Sequence, residues 1–423
     1  DPDIWQDERA ADFEDREMEL SRQLSEAPIA ARAEKRLTLA RFYLARGLSS
    51  NAIGTLDASS DSETKYGSDT SRALLHGYAQ LLLGRAAGAL RDFNNPVLAK
   101  SPQASLLRAS ALSNLGRYPE ARDQFNSGKN AVATLPADVQ RRVLLDAMGT
   151  MVSASDFAAA TDIRGELDVV GVPAEMKAPL AVLSAQLAAA LGRQDQAINL
   201  YAEIAAGPES PSMAEARLKL VEMRMKSGDF DRTRAIEGLE TLSFVWRGDE
   251  TEVQAMQLLG RLYVAESRYR DAFNLLDGAV LVRPESDTTR GFYNEMAAIF
   301  EDLFLSDRAK SIEPLEALAL YYDFSKLTPI GRRGDELIRR LADRLVSVDL
   351  LDQAADLLDY QVKYRLTGVA KAQVAAKLAW VQLLNHKPAP AVQVLAETRI
   401  ADLPGELRDQ RLMLEARALS ELG

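Results

Sequence analysis

The chain keeps breaking its helical pattern at a small or polar residue, and the breaks are evenly spaced. They fall at Gly47, Gly84, Gly116, Ser155, Gly192, Gly228, Ser267, Ser306, Asp349, His386 and Gly423, a mean period of about 38 residues. That spacing lies in the range of helical-hairpin repeats, which cannot bury their apolar faces alone and must stack on one another. A stacked array grows its core along one axis, so a chain of 423 residues need not divide into the two or three globular domains that length alone suggests. Every long segment carries the 3.6-residue apolar rhythm and none alternates with period two over six residues. The expected fold is therefore all-α.

Composition narrows the function more than the fold. Apolar residues make up 47% and charged residues 27% of the chain, enough for a continuous core and too apolar for a disordered segment. No apolar run approaches the roughly 20 residues of a membrane-spanning helix. The net charge of −11 argues against a nucleic-acid binder, whose affinity comes from a concentrated basic face. With no cysteine, disulfides, thiolate nucleophiles and cysteine-based zinc sites are excluded together.

Residues Val253 to Pro284 form the clearest unit. Met256, Leu259, Gly260 and Tyr263 lie at helical spacing, the chain turns near Ser267, and Tyr269, Ala272, Leu276 and Ala279 continue the stripe. Gly260 and Ala272 are small enough for two helix backbones to approach, with larger side chains on either side. The unit resembles the tetratricopeptide repeat, and weaker copies recur along nearly the whole chain. Examples are Ala52 with Leu56, Ala89 with Phe93, Ala121 with Phe125, Ala197 with Tyr201, Ala354 with Leu358, and Ala391 with Leu395. The resemblance implies a right-handed α-solenoid of about ten hairpins. It also implies a helical cap over 1–30, repeats over 31–325 and further repeats over 326–423. Departures around Ser155, Gly228 and Ser306 predict longer connections there, and the polar stretch 57–69 predicts an exposed loop. Residues 410–423 read as the first helix of a further hairpin, which leaves an exposed face open to self-association and suggests that the array continues. The Ala-rich texture, notably from Pro314 to Arg344, is similar to large repeat proteins of the alphaproteobacterial envelope and implies a bacterial, periplasmic setting.

Catalytic signals are nearly absent. There is no glycine-rich phosphate loop, and the two histidines, His76 and His386, fall in different repeats, so neither a metal pair nor a Ser-His-Asp set assembles from local sequence. Acidic pairs such as Glu8 with Asp12, Glu14 with Glu17, and Glu313 with Glu316 share helix faces, as a solvated acidic surface does. No catalytic residue, metal or cofactor is expected.

In tetratricopeptide arrays the first helix of each hairpin lines the groove, and this resemblance places Arg41, Tyr78, Arg261, Asp343 and Trp380 at one equivalent inward position, with Arg339, Arg340 and Lys377 nearby. Large amphipathic rings and guanidinium groups of this kind carry binding energy at interfaces. The cluster Arg332, Arg333, Arg339, Arg340 and Arg344 either forks onto a partner's carboxylates or pairs with Asp335, Glu336 and Asp343 on its own helix. The expected function is a non-catalytic scaffold that recruits a protein or peptide in its groove, in a cell-envelope assembly. The competing expectation is a substrate-guiding module of a larger cell-wall-acting enzyme.

Overall fold

The computed structural model describes residues 5, 8, 12–58, 69–227, 231–306, 308 and 312–423. Among them all regular structure is helical. The chain divides into two compact units, Asp1–Asp229 and Phe230–Gly423. The expected turn at Gly228 and most of the expected loop over 57–69 lie outside the described residues.

The first unit opens with helix Phe13–Glu26 and then runs through five hairpins: Ile29–Ala45 with Ser49–Asp57, Asp69–Leu82 with Ala86–Phe93, Pro102–Asn114 with Tyr118–Gly128, Ala137–Ser153 with Phe157–Val170, and Ala174–Ala190 with Gln194–Ala205. It closes with Pro211–Ser227. The second unit begins with Arg232–Val245 and contains Glu250–Ala265 with Tyr269–Val282, Asp287–Leu305 with Pro314–Asp323, Arg332–Ser347 with Leu351–Tyr360, and Gly368–Leu384 with Pro388–Glu397. Gly405–Leu422 ends it. Within each unit a second helix packs on the first helix of the next hairpin and, except for Pro314–Asp323, closely on its own first helix, which is the stacking the period requires.

One backbone device makes the hairpins. At Gly47, Gly84, Gly116, Ser155, Gly192, Ser267, Asp349 and His386, φ lies between 54° and 79°. The following N–H donates to the carbonyl five residues back at 2.8–2.9 Å, from Leu48 to Tyr43 in the first hairpin and from Lys387 to Gln382 in the last. This is the Schellman closure, in which one left-handed residue satisfies the last carbonyls of a helix and turns the chain. The next residue starts the second helix, as Asp156 does by accepting from the N–H of Ala159 at 3.2 Å. All four non-glycine residues with positive φ in the described chain occupy this position.

Two expectations need correction. The turn at Ser155 is regular, because a small polar residue tolerates the left-handed conformation and Asp156 caps the helix Phe157–Val170. Ser306 is not such a turn. It is extended, with φ −104° and ψ −177°, and ends the long helix Asp287–Leu305, so that connection is longer as expected.

Five residues after each left-handed turn stands a buried alanine: Ala52, Ala89, Ala121, Ala160, Ala197, Ala272, Ala354 and Ala391, each without exposed surface. There the two helices cross. The glycine contact differs from expectation in its partner. A Cβ on Gly260 would lie 2.8 Å from the ring of Phe292, and the carbonyl of Ala272 is 4.0 Å away. The space left by Gly260 is thus filled mainly by an aromatic ring from the next hairpin. Gly77 makes room for a ring from its own hairpin, Phe93. Proline sits at helix starts, at Pro102 and Pro211 for example. Pro179 is the exception, since it lies inside Ala174–Ala190 and deprives the Glu175 carbonyl of its helical donor.

Candidate partner-binding face

The first helices of four successive hairpins in the first unit border one pocket of about 420 Å³. Arg41 comes from Ile29–Ala45, Leu75 and Tyr78 from Asp69–Leu82, Leu107 from Pro102–Asn114, and Val139 from Ala137–Ser153. Trp5 closes one side, edge-on to Tyr78 with ring centroids 6.3 Å apart. Two of the sequence-predicted residues, Arg41 and Tyr78, therefore meet in one place. The pocket is apolar with a guanidinium at its rim, a combination that takes a bulky side chain and orients it by charge.

The electrostatics favour neutral aromatic contact over acid-base work. Tyr78 is only 7% exposed, and burial pushes its phenol up to about 12, with smaller effects from Arg142, Asp138 and Asp146. Arg41 reaches the Glu34 carboxylate at 3.4 Å, a partly exposed pair of small energetic weight. Burial also raises the Asp146 carboxyl to about 6, opposed by Arg142.

The remaining predicted residues lie in the second unit. Arg261 donates to Glu295 of the next first helix at 2.7 Å, beside a hydrogen bond from Gln257 to the same carboxylate at 3.3 Å. Lys377 pairs with Asp343 in the same way, from one first helix to its neighbour. Trp380 lies one turn beyond Lys377 and is 38% exposed, so it is not a core residue. Lys377, Trp380 and the exposed Leu384 follow one strip of Gly368–Leu384.

Four of the five arginines of the cluster are occupied by their own fold, and Arg332 is exposed. Arg339 and Arg340 hold Glu336 at 2.7 and 3.0 Å, and together they keep that carboxyl below its ordinary range, the Arg339 hydrogen bond contributing most. Arg340 also donates to the Leu305 carbonyl at 2.6 Å, Arg333 pairs with Glu301, and Arg344 donates to the Ile312 carbonyl. The acidic pairs have structural work too. Glu8 is buried and held by Arg16, Asp12 caps its helix, and Glu17 accepts from the Tyr43 hydroxyl at 2.7 Å. His76 bridges Asp92 at 2.7 Å and Asp57 at 3.4 Å. Among the described residues no three His, Asp or Glu side chains gather as a metal-binding group, and no helix is long and apolar enough to cross a membrane.

Sequence reasoning missed Trp5, because it precedes the first recognisable repeat and has no periodic partner. It also missed Leu75, Leu107 and Val139, which read as ordinary members of apolar stripes. A second groove, on the side of the second helices, was missed as well.

The recurring turn and the buried alanine define a tetratricopeptide-like helical repeat fold. No family model matches the chain, and no curated protein matches it. Solved structures similar to it include a human IFIT1 dimer with PPP-AAAA, at 14% identity over 95% of this chain and 87% of that one, with a TM-score of 0.44. Others are the P58(IPK) TPR domain, at 17% identity over 92% and 98% with a TM-score of 0.31, and the APC/C hetero-tetramer Cut9-Hcn1, at 14% over 97% and 97% with a TM-score of 0.25.

Proposed function

We propose that this protein is a non-catalytic recruitment scaffold that captures a segment of another protein on the first-helix face of its first unit. The observation that carries this reading is the convergence of Arg41, Tyr78 and Trp5 on one apolar pocket. A bulky apolar side chain fills such a pocket, and an adjacent carboxylate on the partner displaces Glu34 from Arg41. The strip of Lys377, Trp380 and Leu384 supplies a further contact in the second unit. Arg261, Arg339 and Arg340 shape the surface through the carboxylates they already hold. The occupant is a protein and not a nucleic acid, because the chain is acidic and its first-helix cations are largely neutralised. We place this activity in a bacterial envelope assembly, in the periplasm, on the Ala-rich repeat texture. Self-association is a further use of the scaffold, through Leu412, Met413 and Leu419, which are exposed on the last helix.

The experiment is site-directed photocrosslinking in the native host, with the photoreactive residue at Leu75 and separate recovery of periplasmic and cytoplasmic fractions. A defined protein adduct that disappears with Arg41→Glu supports the reading and fixes the compartment. Adducts only to RNA or glycan, or a protein adduct indifferent to Arg41→Glu, overturn it.

A further inference from the structure

Four positions beyond the crossing alanine, a second helix carries an anchor that turns into the core. Leu56, Phe93, Phe125, Tyr201, Leu276, Leu358 and Leu395 hold this place, and all seven are buried. The hairpin Ala137–Ser153 with Phe157–Val170 departs from the rule. Its crossing alanine is Ala160, and four residues on stands Arg164. A guanidinium cannot be buried there without a partner. The buried face of this helix is carried by Ile163 and Leu167, and Arg164 lies half-buried against the neighbouring first helix, where it pairs with Asp168 one turn along and donates to the Ser184 hydroxyl at 3.2 Å.

The anchor of this hairpin is Ile163, one position earlier. The core of the first unit runs unbroken from Leu20 to Leu187, and a separate cluster starts around Val182, Ala185 and Tyr201. Between the second helices Phe157–Val170 and Gln194–Ala205, over the first helix Ala174–Ala190, lies a groove of about 600 Å³. Leu180, Leu187 and Leu200 form its apolar floor and wall, and Leu191 is 42% exposed at its end. Besides Arg164 it is edged by Lys177 and Arg193, both exposed and without an ion pair among the described residues. Asp168, already paired, is the one acid among its described lining residues. In a chain of net charge −11, a groove with a cationic rim is a local inversion of sign.

We propose that this groove docks an acidic amphipathic helix from a partner protein. An incoming helix lies along this groove as another layer of the stack, its leucine-type side chains on the apolar floor. Carboxylates flanking that stripe pair with Lys177 and Arg193, which steers association and sets the direction of the helix. The site lies on the side of the second helices and does not depend on the pocket around Tyr78.

The test uses the full chain and three synthetic fluorescent helical peptides with one leucine stripe, differing only in Glu, Lys or Gln at the flanking positions. The Glu peptide binds in the micromolar range, weakens with salt, and binds at least tenfold more tightly than the Lys peptide. Lys177→Glu with Arg193→Glu reduces its affinity by about tenfold or more. Arg164→Leu removes a cation from the groove wall and frees the Asp168 carboxylate beside it, so it weakens binding of the Glu peptide while the melting temperature holds or rises; that variant cannot owe its loss to unfolding. Arg41→Glu leaves binding of the Glu peptide unchanged, which separates this site from the first-helix pocket. Equal binding of the Glu and Lys peptides, undiminished binding by Arg164→Leu, or no binding of the Glu peptide at millimolar concentration overturns the proposal. So does a concentration-dependent dimer that Arg164→Leu dissolves, since the groove would then hold a second copy of this chain.

Discussion

Single side chains carry strain and polarity that the repeat pattern tolerates at definite positions. Ser267 and Asp349 hold a left-handed turn that glycine holds elsewhere, and for a residue with a Cβ that conformation costs about 1 kcal/mol. Glycine also raises the entropy of the unfolded chain. Ser267→Gly and Asp349→Gly are therefore each expected to stabilise the protein by a net of about 0.5 kcal/mol, measurable in urea melts. Arg411 works in the opposite direction. It is 6% exposed and donates to the Ala372 carbonyl at 2.6 Å, the Leu395 carbonyl at 2.8 Å and the Thr398 hydroxyl at 3.0 Å, which ties the last helix to the hairpin before it. Arg411→Ala leaves those acceptors buried and unpaired, so a loss of about 3 kcal/mol is expected, and deuterium uptake in Gly405–Leu422 should rise first.

Pairs of helices hold together by the fit of a small residue against a large one. Gly260→Ala drives a methyl group into the Phe292 ring and should destabilise by about 1–3 kcal/mol. Pairing it with Phe292→Leu should recover most of that loss, and no recovery would mean that the ring is not what occupies the space. Two titratable groups give the hairpins of the first unit a shared pH dependence. Hydrogen bonding to Asp92 holds His76 above its ordinary pKa, with burial opposing it. Its stabilising contribution is complete below the ordinary histidine value and is lost as pH rises through the raised one. Asp146, lifted to about 6 by burial, binds its proton more tightly when folded, so its contribution lowers stability as pH climbs from the ordinary aspartate value to about 6 and is constant above that. Above pH 6 the further decline belongs to His76. Asp146→Asn should raise the melting temperature above pH 6 and leave it unchanged near pH 4, and His76→Gln should flatten the remaining slope between pH 6 and 8.

For the array as a whole, stability is a sum of repeat terms and nearest-neighbour interfaces. A lesion at Gly260 should therefore loosen its own hairpin and the adjoining Asp287–Leu305, with amide protection in Ile29–Asp57 unaffected. A uniform loss of protection along the chain would contradict this local coupling. The surface obeys the same logic, because a strip such as Lys377, Trp380 and Leu384 contributes contact area without supporting the core. Trp380→Ala is expected to weaken partner capture while changing the melting curve by less than about 0.5 kcal/mol.

The array was legible in residue order because its instructions are local. A turn residue able to take positive φ, a cap just after it, and an alanine five positions on act within a few residues of one another, and each repeats. Gly47, Gly84, Ser267 and His386 could be read as turns for that reason. Surface function has no such local code. Arg41 and Tyr78 lie on different hairpins and become neighbours through stacking; the arginines of Arg332–Ser347 look like a binding patch until Glu301, Glu336 and the Leu305 carbonyl are placed around them. Arg164, Lys177 and Arg193 belong to three successive stretches of sequence, and only packing brings them to the edge of one groove. Local propensities propagate along the chain and can be read one residue after another, whereas a cavity or an ion pair depends on distances between segments that packing alone sets.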